Sequence, residues 1–193
     1  MTGVQTCALP ISSIAIEVGD RQGEGKRNES LGWMFYSLGE YQIAKEYYEK
    51  QLAIAMEIGD RKGEGTINGY IGDIFRSLGE YQKAKEYFEK ALAIKTETGE
   101  GKEREYLNLG IVYCGLRKCR RAKEYLDKLV GIGIASGNRR LEAHATGCLA
   151  AIFSSVNDNQ KAEEHFVKAL TISRECGCRN AEGIFSLSLG NFY

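Results

Sequence analysis

The stretch Ala84-Lys85-Glu86-Tyr87-Phe88-Glu89-Lys90 decides the fold, because closely similar stretches occupy residues 44–50, 122–128 and 162–168. The alanines that begin these four stretches are 40, 38 and 40 residues apart. A fixed period of this length is typical of stacked supersecondary units, each of which buries its apolar face against its neighbours. The sequence therefore predicts an array of similar units over most of its 193 residues.

Two stripes of apolar residues at helical spacing lie within each unit. In residues 60–99 the stripes contain Ile67, Ile71, Ile74, Phe75 and Leu78, and then Tyr81, Ala84, Phe88, Ala91 and Leu92. Glycine recurs where the second stripe stops, as suits a left-handed helix cap, at Gly19, Gly59, Gly99, Gly137 and Gly177. Each unit is therefore predicted to be a helical hairpin, with a first helix A and a second helix B.

Small residues recur at one position of each predicted helix. They are Gly32, Gly72, Gly110, Ala150 and Gly190 in helix A, and Ala44, Ala84, Ala122 and Ala162 in helix B. The side chains at a contact set the distance between two helices. We therefore predict that helices A and B approach closely at these positions.

Composition excludes several classes of function. The chain carries 26 basic and 26 acidic residues, so we expect neither a nucleic-acid nor an anionic-membrane partner. No apolar run approaches the ~20 residues that a membrane-spanning helix needs. The six cysteines contain no CxxC pair, and Cys176-Gly177-Cys178 is too tight for the usual zinc knuckle. We expect no metal or cofactor, and reduced thiols in a cytoplasmic protein.

The first eleven residues do not follow the repeat. They are uncharged and contain Pro10, the only proline of the chain. They resemble the translation of a short-read sequencing adapter, so we interpret residues 1–11 as a non-native segment. A signal peptide is disfavoured because a basic leading region is absent. The chain stops at Tyr193 within a predicted helix, and we interpret it as a fragment of a longer array.

The small and large residues of two units resemble the tetratricopeptide repeat (TPR). They are Leu31, Gly32, Phe35, Gly39, Tyr41, Ala44 and Tyr48 in one unit, and Ile71, Gly72, Phe75, Gly79, Tyr81, Ala84, Phe88 and Ala91 in the next. The 40-residue length is similar to that of Pins/LGN-type adaptors and long invertebrate arrays. The resemblance implies an all-α, TPR-like α-solenoid of antiparallel helix hairpins stacked into a right-handed superhelix. Its expected parts are a partial unit at 12–20, units at about 21–59, 60–99, 100–137 and 138–177, and a partial unit at 178–193.

A second face of helix A lies off the apolar stripe, and in TPR proteins this face lines a concave groove that takes a peptide. Aromatic and arginine side chains are favoured at binding hot spots, and Trp33 is the only tryptophan. The alternative for Trp33 is packing against a neighbouring helix A. The predicted partner-binding residues are Lys26, Glu29, Trp33, Tyr36, Thr66, Tyr70, Asp73, Arg76, Arg104, Asn108 and His144.

We therefore expect a protein–protein interaction scaffold that binds a partner peptide or helix, and not an enzyme. No GxSxG, P-loop, HExxH or GxGxxG motif occurs. Cys114 and His144 could in principle supply a nucleophile and a base, but nothing in the sequence supplies an oxyanion hole. The alternatives are a substrate-recruiting or sensor arm of a larger enzyme or signalling protein, and an architectural spacer. Because the ends of a cut array expose apolar surface, we also expect end-to-end self-association.

Overall fold

The computed structural model describes the backbone of residues 5–190 and the side chains of residues 20–190. All regular structure in this part of the chain is α-helical, which confirms the predicted all-α solenoid of antiparallel helix hairpins. The chain divides into a first unit, Met1–Glu100, and a second unit, Gly101–Tyr193. The adapter-like segment 1–11 lies outside the residues whose side chains are described, so that interpretation stays a prediction.

The first unit contains four helices, and successive helices pack against each other. They are α1 (Gln5–Ser37), α2 (Tyr41–Glu57), α3 (Arg61–Ser77) and α4 (Tyr81–Thr98). The second unit contains α5 (Glu103–Gly115), α6 (Cys119–Ala135), α7 (Arg139–Ser155), α8 (Asn159–Glu175) and α9 (Arg179–Gly190). Here too each helix packs on the next, and α7 also touches α5 and α9. Odd-numbered helices are helices A, and even-numbered helices are helices B.

The predicted close approach of helices A and B is present in the hairpins. Ala44, Ala84, Ala122 and Ala162 of helices B are all fully buried. A Cβ atom added to Gly32 would lie 2.6 Å from the ring of Tyr48, and one on Gly72 would lie 2.8 Å from the ring of Phe88. The glycine of helix A thus makes room for a large side chain of helix B, one turn beyond the alanine.

A second contact of each hairpin is a pair of aromatic rings. Phe35 stacks on Tyr47 with ring centroids 5.5 Å apart, and Phe75 stacks on Tyr87 at 5.4 Å. In the second unit Tyr113 stacks on Tyr125 at 5.5 Å. Lysines extend this contact toward solvent, because the Nζ atoms of Lys50 and Lys90 each lie 5.1 Å from the centroid of the tyrosine ring three residues before them.

Three hairpins carry the same arginine clamp, in which one guanidinium of helix A binds two glutamates. Arg61 binds Glu64 on its own helix and Glu97 near the end of helix B, the latter at 2.7 Å. The equivalent clamps are Arg21 with Glu24 and Glu57, and Arg139 with Glu142 and Glu175. In the α3–α4 and α7–α8 hairpins the clamp joins the first turn of helix A to the last turn of helix B. Arg21 occupies the same repeat position but lies inside the longer helix α1. Helical periodicity gives no sign of these clamps.

Left-handed glycines end helices B where the sequence predicted them, with φ of +70° at Gly59 and +73° at Gly99. The prediction was wrong at Gly19, because α1 runs without interruption from Gln5 to Ser37. Glycine permits the left-handed conformation but does not require it. The segment before Gly19 also includes residues 1–11, which do not follow the repeat.

The loss of two residues near Glu100 shortens one helix A. In the frame set by the crossing glycines, α3 begins 11 residues before Gly72, whereas α5 begins only seven residues before Gly110. The missing turn is the one that carries the clamp arginine in the neighbouring repeats. The boundary between the two compact units falls at this shortened start.

We predict that Gly72→Ala destabilises the protein by about 1–3 kcal/mol, because the new methyl group would overpack the ring of Phe88. Gly131→Ala is the matched control, since this exposed α6 position has open space around it. There alanine should stabilise the helix by about 0.5–1 kcal/mol. Chemical denaturation measures both free energies of unfolding, and a stabilising Gly72→Ala would contradict the close crossing.

We also predict that Arg61→Gln lowers the melting temperature at neutral pH but much less in acid. Arg61 lowers the pKa of Glu97, mainly through its hydrogen bond. The ion pair therefore favours the folded state above the ordinary carboxylate pKa, and this stabilisation is lost as the pH falls through the lowered value. Lys62→Gln makes the same charge change beside the clamp. Equal effects of the two variants, or an effect of Arg61→Gln that does not depend on pH, would contradict the assignment.

Candidate functional site

The first unit has an open cleft between its two helices A. Glu29, Ser30 and Trp33 of α1 and Tyr70 of α3 line it, and its volume is about 250 Å³. We call it the Trp33 cleft. The Trp33 side chain is 63% exposed, so the packing alternative considered for this residue is not what the structure shows. A large aromatic side chain is therefore presented to solvent beside a concave site.

Packing inside the hairpin fixes one wall of the Trp33 cleft. Because Gly32 has no side chain, Tyr48 of α2 lies against α1 and is only 1% exposed. Tyr70 stacks on this buried ring, with centroids 5.2 Å apart and an angle of 28° between the planes. The crossing glycine of helix A thus determines where Tyr70 stands, and Trp33 follows Gly32 directly in α1.

Polar contacts join the same face of α1 and α3 beyond the cleft. The Tyr36 hydroxyl lies 3.1 Å from the Ser77 hydroxyl, which links the C-terminal ends of the two helices. Arg76 donates to Asp73 at 3.2 Å within α3. A ligand of Asp73 or Arg76 would therefore compete with an existing ion pair.

The second unit has a larger groove, of about 600 Å³, between α7 and α9. We call it the α7–α9 groove. His144, Cys148 and Ala151 form the α7 wall, whereas Ala181, Ile184 and Ser188 form the α9 wall. The rings of Phe166 and Phe185, which are 6.4 Å apart, lie beneath. Arg140, Asn138 and Asn180 are polar residues in the lining of this otherwise largely apolar groove.

The titratable groups of this groove are poorly suited to nucleophilic catalysis. Burial raises the pKa of Cys148 to about 11, with a smaller contribution from Cys114. Burial, followed by the charge of Arg140, lowers the pKa of His144. A protonated thiol and a neutral imidazole are therefore expected at neutral pH. The groove offers apolar contact and hydrogen bonding rather than an activated nucleophile.

Only some of the predicted partner-binding residues line a cleft or groove. Glu29, Trp33 and Tyr70 meet in the Trp33 cleft, and His144 lines the α7–α9 groove. Lys26 is exposed and Thr66 is half-buried on the same helices, outside the lining of the cleft. Tyr36, Asp73 and Arg76 form the polar contacts beyond it.

The prediction that Asn108 is an exposed binding residue is wrong. Asn108 is only 6% exposed, because α5 turns this side chain into the interior of the second unit. Arg104 is half-buried on α5. The expectation that Arg104 shares one wall with Trp33 and Tyr70 concerns residues in different compact units, and it stays a prediction.

The sequence analysis missed Ser30 and the whole α9 wall. Ser30 occupies the same repeat position as Tyr70, one period later, and Cys148, three periods later, so the repeat itself carried the signal. Ile184 likewise lies 40 residues after His144. The α9 residues belong to the unit at 178–193, which the repeat frame gives only in part.

A protein-family model matches the part of the chain that forms the first helical hairpins. Residues 28–97 match the family model of the tetratricopeptide repeat. These residues contain the crossing glycines Gly32 and Gly72 and the whole Trp33 cleft. No curated protein is significantly similar to the chain in sequence.

Solved structures of TPR-like proteins are similar to the chain in fold. The apo form of RapI has a TM-score of 0.81 at 18% identity, over 89% of this chain and 63% of RapI. Aspartyl phosphate phosphatase F from Bacillus subtilis has a TM-score of 0.79 at 16% identity, over 86% of this chain and 44% of the phosphatase. TPR-like repeats of a putative kinesin light chain from Podosopora anserina give 0.68 at 19% identity, over 79% of this chain and 76% of theirs. The chain thus spans less than two thirds of the length of RapI and of the phosphatase.

Two features of the residues that the structure describes bear on the kind of site. No helix among them is both long enough and apolar enough to cross a membrane. Over the same residues, no cluster of three or more histidine, cysteine, aspartate or glutamate side chains is arranged to hold a metal ion.

Proposed function

We propose that this protein is an interaction scaffold whose helix A faces bind an extended or helical segment of a partner protein. The observation that carries the proposal is the Trp33 cleft, where an indole that is 63% exposed stands beside a rigidly held tyrosine. Large aromatic side chains at the centre of a concave site are the usual hot spots of protein interfaces. The TPR match of residues 28–97 supports the same function.

The chemistry of the Trp33 cleft favours a particular kind of segment. Trp33 and Tyr70 offer flat apolar surfaces to one large apolar side chain, while Ser30 and Glu29 offer polar atoms beside them. The Glu29 carboxylate would pair with a basic residue of the partner. We therefore propose a peptide segment in which an apolar anchor has a lysine or arginine close to it.

The side chains that line the Trp33 cleft are already held in place, so few of them need to become ordered when a partner binds. Tyr70 is fixed by its stack on Tyr48, and Tyr48 is fixed against Gly32. A site whose side chains are already held in place loses less conformational entropy when its ligand binds. The proposal places this interaction in the cytoplasm, a reducing compartment that suits a chain with six cysteines.

We predict that Trp33→Ala weakens the binding of peptides selected on the full chain from a random library by at least ~10-fold, or about 1.4 kcal/mol. The exposed position of Trp33 means that the fold should survive this change, and circular dichroism checks it. Isothermal titration calorimetry measures the dissociation constants.

Met56→Ala is the matched control for this experiment. Met56 is also 63% exposed, but it lies on helix B and lines a different cleft, with Arg61 and Ile94. We expect its dissociation constants to stay within ~2-fold of those of the unchanged chain, well below the ~10-fold effect of a hot spot. Selected peptides that are insensitive to Trp33→Ala, or that depend on Met56 instead, would show that the partner binds elsewhere.

A further inference from the structure

Two thiols meet at the turn between α8 and α9. The Sγ atoms of Cys176 and Cys178 are 2.7 Å apart, and both side chains are half-buried and free of any disulfide. Cys176 is the C-terminal cap of α8, and Cys178 directly precedes α9. Neither cysteine lines the Trp33 cleft or the α7–α9 groove.

The shape of the turn explains this contact. Gly177 lies between the two cysteines with φ of +67°, which reverses the chain within three residues. The same turn follows α4, where Gly99 has φ of +73° and the Thr98 hydroxyl donates to the Glu100 carboxylate at 3.2 Å. The left-handed glycine therefore brings the side chains on its two sides together, and at 176–178 both of those side chains are thiols.

The residue types at this turn depart from those at the equivalent turns. At the repeat position of Cys178, Asp60 accepts a capping bond from the Gly63 amide and Asn138 accepts one from the Leu141 amide. A thiol sulfur is a weak acceptor and a poor replacement in that role. Helix capping therefore does not explain why a cysteine stands at position 178. A reaction between two neighbouring sulfurs would explain it.

Geometry distinguishes this pair from Cys114 and Cys148, because the sulfurs of Cys176 and Cys178 are in direct contact. Cys114 and Cys148 are held as protonated thiols, because burial raises the pKa of each to about 11. The pKa of Cys178 is raised as well, first by its hydrogen bond with Cys176 and then by burial, whereas the charge of Arg140 lowers it. The pair is therefore distinguished by the direct contact of its two sulfurs and not by acidity.

We propose that Cys176 and Cys178 form a reactive dithiol that small-molecule disulfides oxidise reversibly to an intramolecular disulfide. In the first step one thiolate attacks the small disulfide, forms a mixed disulfide and releases one small thiol. In the second step the neighbouring sulfur attacks the mixed disulfide and releases the second small thiol. The protein loses two protons and two electrons, which the small disulfide gains as it becomes two thiols.

Because the two sulfurs lie close together, we expect the second step to be faster than the first, so that the mixed disulfide does not accumulate. A disulfide bond is ~2.05 Å long, so the two sulfurs at 2.7 Å need only a short further approach. The loop that the new bond closes contains a single residue, Gly177. The new bond would therefore lie entirely within the turn between α8 and α9.

Mass spectrometry of the full chain after incubation with glutathione disulfide tests the proposal. Trypsin cleavage after Arg174 and Arg179 releases residues 175–179, which contain these two cysteines and no others. We expect this peptide to lose two hydrogen atoms without gaining glutathione, and dithiothreitol should restore it. Cys176→Ser and Cys178→Ser should each gain one glutathione on the remaining sulfur.

The Cys148→Ser variant is the control, and it should leave the oxidation of residues 175–179 unchanged. A stable glutathione adduct on this peptide in the unchanged chain would overturn the proposal. So would a peptide that stays fully reduced at glutathione disulfide concentrations that modify either single variant, or a peptide that reacts in none of the three proteins.

Discussion

The structure depends on one contact that recurs in the hairpins, the approach of a large side chain of helix B to a residue of helix A that has little or no side chain. Tyr48 lies against Gly32, Phe88 against Gly72, and Leu126 against Gly110. Interiors are packed too densely for an added methyl group to be absorbed without displacement of a neighbour. This contact sets the distance between the two helices of a hairpin, and with it the position of every residue on the outer faces of helix A.

The candidate site is a direct consequence of that contact. Tyr48 is buried because Gly32 leaves room for it, and Tyr70 of the next helix A stacks on Tyr48. The stack brings Tyr70 opposite Trp33, so a core contact of one hairpin shapes an open cleft between two. The arginine clamps act at the other end of the hairpins, where they join helix A to the end of helix B.

Much of the fold was predictable because the repeat shows every important position several times. The spacing of Gly32, Gly72 and Gly110 indicated the crossing, and the position of Trp33 off the apolar stripe indicated its exposure. Contacts between distant residues were not predictable in this way. The clamp joins residues 36 positions apart, such as Arg61 and Glu97, and helical periodicity carries no information about such a pair. Asn108 was misjudged because a residue at the edge of the apolar stripe turns inward or outward according to its neighbours.

The central claim, that a partner segment lies on the helix A face, is tested most directly by nuclear magnetic resonance of the full chain titrated with a selected peptide. The account predicts that the largest changes in chemical shift fall on Glu29, Ser30, Trp33 and Tyr70, including the indole N–H of the single tryptophan. Changes concentrated instead on the outer face of helices B, around Lys50 and Lys90, would contradict it.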